Sequence, residues 1–182
     1  MKSSGAILEG HFQLTSGRHS DVYLEKFRLL ENPEIVEKLG VMMADQFDNE
    51  AIDVVLGAAI GGILLSYTTA KVIGTKGIFA ERMNGKLQLR RGFQINSGDR
   101  VLIVEDIITT GGSVVELVEV VKQYGAVPVG VVCLVDRSQT RADFGCPTKT
   151  LLKYPAISWE PDECPLCRKG ISIESRGRSE KR

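Results

Sequence analysis

Val101-Leu102-Ile103-Val104 is an unbroken run of β-branched and aliphatic residues. Such a run belongs to a strand buried on both faces, which is the position a parallel sheet covered by helices provides. Glu105 and Asp106 follow and are expected to end the strand. Behind them Ile107-Ile108-Thr109-Thr110-Gly111-Gly112-Ser113 leads into Val114, Leu117, Val118 and Val121 at helical spacing, stopped at Gly125. Ser113 and Glu116 have the spacing of a capping box, placing the helix start at Ser113.

The rest of the chain repeats this alternation of strand-like and helix-like periods. A helix is expected from Pro33 through Ile35, Leu39, Met42, Met43 and Phe47, with proline at a tolerated first-turn position. Ile52 to Leu56 reads as a strand, Gly57 to Gly62 as a glycine-rich turn, and a helix follows that ends near Gly74. Ile78 to Ala80 and Val127 to Val135 read as further strands, the last ending at Asp136-Arg137. Residues 81–99 are polar and read as a mobile arm with a hairpin at Asn84-Gly85. After Tyr154 the chain is expected to become irregular and finally basic. The expected fold is α/β, a central mostly parallel sheet flanked by helices.

At 182 residues the chain has the length of one domain, and 43% hydrophobic against 25% charged residues excludes disorder. The longest uncharged stretch, from Asp53 to Lys71, is interrupted by three glycines and falls short of the roughly 18 apolar residues a span needs. No membrane span is expected. The first ten residues lack an apolar signal region, so a cytoplasmic location is expected, and the four cysteines should be reduced. Cys133 and Cys146 read as structural. Net charge is zero, yet Arg82 to Arg91 holds four basic residues and no acidic one. A second basic stretch runs from Arg168 to Arg182, which leaves the body acidic. That argues against a nucleic-acid surface and suits a multiply charged anionic ligand.

The Thr-Thr-Gly-Gly-Ser turn supplies backbone N–H groups, hydroxyls and a helix N-terminus, a combination suited to phosphate. Glu105 and Asp106 would repel that phosphate if adjacent, but serve sugar hydroxyls a few ångströms away, so the pair points to a ribose phosphate. The chain has no Walker lysine before Ser113, and Gly57 to Gly62 reads G-x-x-x-G-G rather than a dinucleotide fingerprint.

The stretch from Val101 to Ser113 closely resembles the ribose-phosphate signature of the type I phosphoribosyltransferases. Gly10-His11-Phe12, the run Leu14 to Ser20, Tyr23, Pro33 and Leu134-Val135-Asp136-Arg137 resemble the orotate phosphoribosyltransferase branch. Cys164-Pro165-Leu166-Cys167 resembles a tail motif of one bacterial and archaeal group. The resemblance implies a single domain over 1–182, with a small hood of N- and C-terminal segments, a mobile loop at 81–99 and a basic cysteine-containing tail at 160–182. It implies transfer of ribose 5-phosphate from phosphoribosyl pyrophosphate to orotate, with Mg²⁺ held mainly through substrate and Asp106 as the chain's own candidate ligand. Ile108, Thr109, Thr110, Gly111, Gly112 and Ser113 would hold the 5′-phosphate, and Glu105 with Asp106 the ribose. Ala58, Ala59, Ile60 and Gly61 would face pyrophosphate. Arg82 and Lys86 would cover it from the neighbouring subunit of a homodimer with shared active sites. Arg137, Thr109, Tyr23 and Leu24 would bind orotate, Arg137 being otherwise a strand-end partner of Asp136.

Departures from the family pattern are Met83 and Gln88 in place of a loop lysine and histidine, Thr15 in place of a lysine near orotate, and Gly61 in place of a pyrophosphate-side lysine. Arg90 and Arg91 are candidates to compensate. His11 and His19 have no carboxylate or nucleophile at a telling spacing and read as structural. Cys164 and Cys167 supply half of a tetrahedral zinc site, which a second chain or Cys146 could complete; otherwise they are two tail thiols. A sensor of phosphoribosyl pyrophosphate without turnover and a purine phosphoribosyltransferase remain as alternatives.

Overall fold

Along the chain run β1 (Ile7–Gln13), β2 (His19–Leu24), α1 (Phe27–Leu30), α2 (Pro33–Ala44), β3 (Val54–Ala58), α3 (Gly61–Ile73) and β4 (Lys76–Met83). Then come β5 (Lys86–Leu89), β6 (Arg100–Ile108), α4 (Gly112–Gln123), β7 (Val127–Asp136), β8 (Thr148–Lys153), α5 (Pro165–Arg168) and β9 (Glu174–Ser175). The computed structural model describes residues 5–14, 16–139, 143–155 and 157–176. Thr15 and the end of the basic tail, 177–182, lie outside them. Two units result, one of Met1–Leu29 with Pro155–Arg182 and the other of Leu30–Tyr154.

In the larger unit the sheet order is β5-β4-β3-β6-β7-β8, with β5 antiparallel to β4 and the other pairings parallel. Val54, Val55, Leu56, Val101 to Val104, Val131 and Val132 have no exposed surface, as strands covered on both faces require. The chain steps from β3 outward to β4 and then returns to place β6 on the other side of β3. That reversal makes the carboxyl ends of β3 and β6 the place where an open α/β sheet leaves a crevice.

Asn32 caps α2 by accepting from the Ile35 N–H at 3.3 Å, and Val36, Leu39, Gly40 and Met43 are buried at helical spacing. The helix ends at Ala44, and Asp45–Phe47 continues it as one 3-10 turn. Close packing of α2 on α3 depends on Gly40, where a Cβ would lie 2.8 Å from the Thr68 backbone carbonyl carbon.

Two local expectations are corrected. Glu105 and Asp106 do not end the strand, because β7 extends equally far and the ladder continues through Glu105↔Cys133 to Ile108↔Asp136. Ser113 does not cap α4. Gly111 is the N-cap, with φ 82°, and no side-chain hydrogen bond caps this helix. Glu116 turns instead to the arm, where its carboxylate accepts from the Leu87 N–H at 2.8 Å. The arm begins as the expected hairpin, with Asn84 at φ 51° and Gly85 at φ 82° in its turn. Its apolar residues are anchored, since Leu87 and Ile95 belong to the core.

In the smaller unit β1 lies between β2, antiparallel, and β9, parallel. The described residues after Tyr154, 155 and 157–176, include ordered contacts that their sequence does not suggest. Trp159 and His19 exchange two backbone hydrogen bonds of 2.9 Å. Ser20 Oγ donates to the Ile157 carbonyl at 2.9 Å, and Arg18 binds Glu160 and the Ser158 carbonyl.

Candidate active site

At the carboxyl end of β6 an open pocket is lined by Glu105 and by every residue from Ile107 to Val114. Because Gly111 rather than a side chain caps α4, the first N–H groups of that helix are left to a ligand, which favours an anion. Thr109 and Thr110 are exposed there, and Gly111 is buried.

Both carboxylates are almost fully buried, Glu105 at 6% exposure and Asp106 at 5%. Glu105 Oε1 accepts from the Asp106 N–H at 3.0 Å, and Asp106 Oδ1 accepts from the Ile107 N–H at 2.6 Å, so the backbone fixes their orientation. Asp106 Oδ2 lies over Gly61. A Cβ at Gly61 would sit 1.4 Å from that oxygen, so any side chain there displaces the carboxylate. A lysine at this position has no room. Gly57 and Gly62 make a second close approach, with a Cβ on Gly57 only 2.4 Å from the Gly62 carbonyl oxygen. The G-x-x-x-G-G pattern therefore brings the turn after β3 against β6. Ala59 N–H donates to the Ala80 carbonyl at 2.8 Å, Ile60 is exposed, and the Ala59–Ile60 peptide is cis.

The arm's cations are not gathered at this pocket. Arg82 forms a two-pronged pair with Glu116, at 2.9 and 3.1 Å. Burial acts to raise the Glu116 pKa, but the Arg82 and Leu87 hydrogen bonds outweigh it and hold the carboxyl below its ordinary value. Arg91 pairs with Glu81 at 2.8 Å, while Lys86 and Arg90 are exposed, as is Gln88; Met83 is half-buried. Arg137 follows β7 directly, with its N–H donating to the Ile108 carbonyl at 2.8 Å and only 7% of the residue exposed. Asp136 Oδ1 is engaged by the Ser138 N–H and hydroxyl. Tyr23 and Leu24 belong to the smaller unit, half-buried and buried on β2. Burial pushes the Cys133 thiol up to about 11, with a Thr150 hydrogen bond opposing and nearby carboxylates reinforcing, so it stays protonated and inert.

The Phosphoribosyl transferase domain family matches residues 28–162. Orotate phosphoribosyltransferase of Caldicellulosiruptor bescii is 48% identical over 180 residues, 99% of this chain and 95% of that relative. The enzyme of that name from Thermotoga maritima is 44% identical, covering 97% of this chain and 95% of its own. The chain belongs to the orotate phosphoribosyltransferases. Among solved structures, the Aeropyrum pernix orotate phosphoribosyltransferase superposes with TM-score 0.67 at 27% identity, over 84% of this chain and 90% of that one. The adenine phosphoribosyltransferase of Trypanosoma brucei shares the fold, with TM-score 0.66 at 21% identity over 98% of this chain and 87% of that one.

The pocket is lined by residues that the sequence singles out, Glu105 and Ile108 to Ser113, but two features are not read from the sequence. One is Glu116 as the partner of Arg82. The other is the gathering of His11, His19, Cys164 and Cys167, whose ligating atoms all lie within 4.8 Å of one another. The histidines are thus not isolated core residues, and in the larger unit Cys146 packs against the sheet core.

Proposed function

We propose that this chain transfers ribose 5-phosphate from phosphoribosyl pyrophosphate to orotate, forming orotidine 5′-monophosphate and pyrophosphate in pyrimidine synthesis. The observation that carries the reading is the uncapped α4 N-terminus beside two buried carboxylates, in a chain about half identical to orotate enzymes. The N–H groups and hydroxyls of Thr109 to Ser113 bind the 5′-phosphate. Glu105 and Asp106 hold the ribose hydroxyls and favour the positive charge that develops on the sugar as the bond to pyrophosphate breaks. The turn from Ala58 to Gly61 offers backbone donors to pyrophosphate. Arg137 and the Thr109 hydroxyl meet the carboxylate and carbonyls of orotate.

The donor set fits Mg²⁺. Only hard carboxylate oxygens stand at the ribose position, and Mg²⁺ prefers one or two such ligands together with water and substrate oxygens. Asp106 would hold it, and the ion would neutralise charge on the pyrophosphate. Arg82 and Lys86 would add to that neutralisation. Arg82 is exposed although its partner Glu116 is half-buried, and a surface ion pair is worth only about 0–1 kcal/mol, so a multiply charged ligand can draw Arg82 away.

A homodimer supports the arm's role. Ile60, just before α3, and Leu64 and Tyr67 on it form an exposed apolar patch, 73%, 44% and 63% exposed, which a second copy would cover. No helix among the described residues is long and apolar enough to cross a membrane, which suits action in the cytoplasm.

Incubating the protein with phosphoribosyl pyrophosphate, Mg²⁺ and orotate, uracil, adenine or hypoxanthine should release pyrophosphate fastest with orotate. Faster release with adenine would favour the purine reading that the shared fold leaves open, and none with any base would favour a sensor. Arg137→Ala should raise KM for orotate by about 10- to 150-fold, the value of a lost charge-assisted hydrogen bond, with KM for phosphoribosyl pyrophosphate little changed. Equal rises for both substrates would remove Arg137 from the orotate site.

A further inference from the structure

We propose that His11, His19, Cys164 and Cys167 bind one structural Zn²⁺ in the smaller unit. The distances are those of a coordination shell. Zinc bonds of about 2.05 Å to nitrogen and about 2.3 Å to sulfur give tetrahedral edges of about 3.3 Å between nitrogens and about 3.6 Å between nitrogen and sulfur. His11 Nε2 lies 3.1 Å from His19 Nδ1, 3.4 Å from Cys164 Sγ and 3.7 Å from Cys167 Sγ, and Cys167 Sγ lies 3.3 Å from His19 Nδ1. The remaining pairs fall within 4.8 Å.

The proton positions lead to the same assignment. His11 Nδ1 is 2.8 Å from the Ile171 carbonyl, which can only accept, so Nδ1 carries a hydrogen and Nε2 is the nitrogen whose lone pair is available to the cluster. One lone pair cannot serve three neighbours as hydrogen-bond donors, whereas a cation at the centre uses all four ligating atoms. A carbonyl behind a metal-binding histidine is also the usual outer partner that fixes its tautomer. Two sulfurs and two imidazole nitrogens select a soft or borderline cation such as Zn²⁺ over Mg²⁺ or Ca²⁺. Binding deprotonates the two thiols, releases two protons and leaves a neutral site. Neutrality suits the burial of His11, His19 and Cys164, at 3%, 6% and 0% exposure. Cys167 is exposed and offers a route for entry.

The ion would tie β1, β2 and the turn at α5 together. Besides Cys164, the buried apolar residues described in this unit are only Ala6, Phe12, Leu24 and Leu29, a core too small to stand without a staple. The proposal is independent of the assigned reaction.

The unaltered chain, expressed with zinc and purified under reductant without chelator, should carry one Zn²⁺ per chain by elemental analysis. Co²⁺ in its place should show four-coordinate d–d bands and a sulfur-to-cobalt charge-transfer band. Adding Zn²⁺ to the metal-free chain should release about two protons, and stripping the metal should lower the melting midpoint by about 5 °C or more. Cys167→Ser should weaken zinc binding by at least about 100-fold, beyond the loss of an outer partner, while Cys146→Ser leaves it unchanged. An unaltered chain with reduced thiols that neither retains zinc nor gives the cobalt spectrum overturns the proposal. So does undiminished zinc affinity in Cys167→Ser and His19→Ala, or a Cys164–Cys167 disulfide in anaerobically purified protein. The titrations of the unaltered chain decide the matter if a variant fails to fold.

Discussion

Replacing Gly61 by alanine should lower kcat by about 10- to 150-fold while leaving binding of the 5′-phosphate near the starting level. The added methyl would enter 1.4 Å from Asp106 Oδ2 and 2.5 Å from Cγ. Asp106 must then rotate and give up the bond from the Ile107 N–H. The carboxylate leaves the position proposed for the ribose, and loss of a buried charge-assisted hydrogen bond there costs about 1.5–3 kcal/mol. Asp106→Asn should lose a similar factor by neutralising the group in place. The two changes remove one interaction, so the double variant should be no slower than the worse single one. Steady-state kinetics with phosphoribosyl pyrophosphate and orotate, alongside binding of ribose 5-phosphate, checks all three. Losses that multiply in the double variant would mean that Gly61 acts on pyrophosphate separately from Asp106.

This dependence also explains why the site was legible in sequence only in part. The Val101–Val104 strand, the glycine turns and the helix after Gly112 are local, and their patterns read directly. Glycine at 61 in place of a family lysine looked like a lost charge, because its reason is an oxygen on another strand. Ser113 and Glu116 matched a capping spacing, but Gly111 takes the left-handed position and Glu116 is drawn to the arm, contacts that spacing within one helix does not encode. β8, with the sequence TKTLLK, is polar at four of its six positions, as an edge strand can be, and polar edges hide from hydrophobic patterning.

The four ligating side chains show the same limit more sharply. Cys164-x-x-Cys167 was visible as half a site, while its partners lie about 150 residues earlier on two strands. The signal that could have found them is the hairpin. Phe12 lies opposite Ser20 and Gln13 opposite His19, and a bulge between Glu9 and Phe12 breaks the alternation at His11, so both His11 and Phe12 are buried. The bulge turns His11 toward His19, with 3.1 Å between their ring nitrogens, but β1 and β2 lack the clean alternation that announces strands in a sequence.

Mixing impaired Lys86→Ala chains with impaired Asp106→Asn chains should bring activity to about a quarter of the wild-type level per total chain, above the residual activity of either parent. The expectation rests on the proposed dimer, in which the arm of one subunit serves the ribose site of the other. In each chain Leu87 is anchored in the core, so the base of the arm is fixed while Lys86 at the hairpin remains exposed. A short exposed hairpin can close on a substrate across a subunit boundary and exclude water without unfolding its base. Random exchange makes half the dimers mixed, and each mixed dimer owns one site with both residues intact. Activity should therefore rise from the parental level with the kinetics of subunit exchange, followed by native mass spectrometry. Tyr67→Asp, which charges the apolar patch at α3, should weaken the dimer and abolish the recovery. Demonstrated exchange with activity still at the parental level would place Lys86 at the ribose site of its own chain.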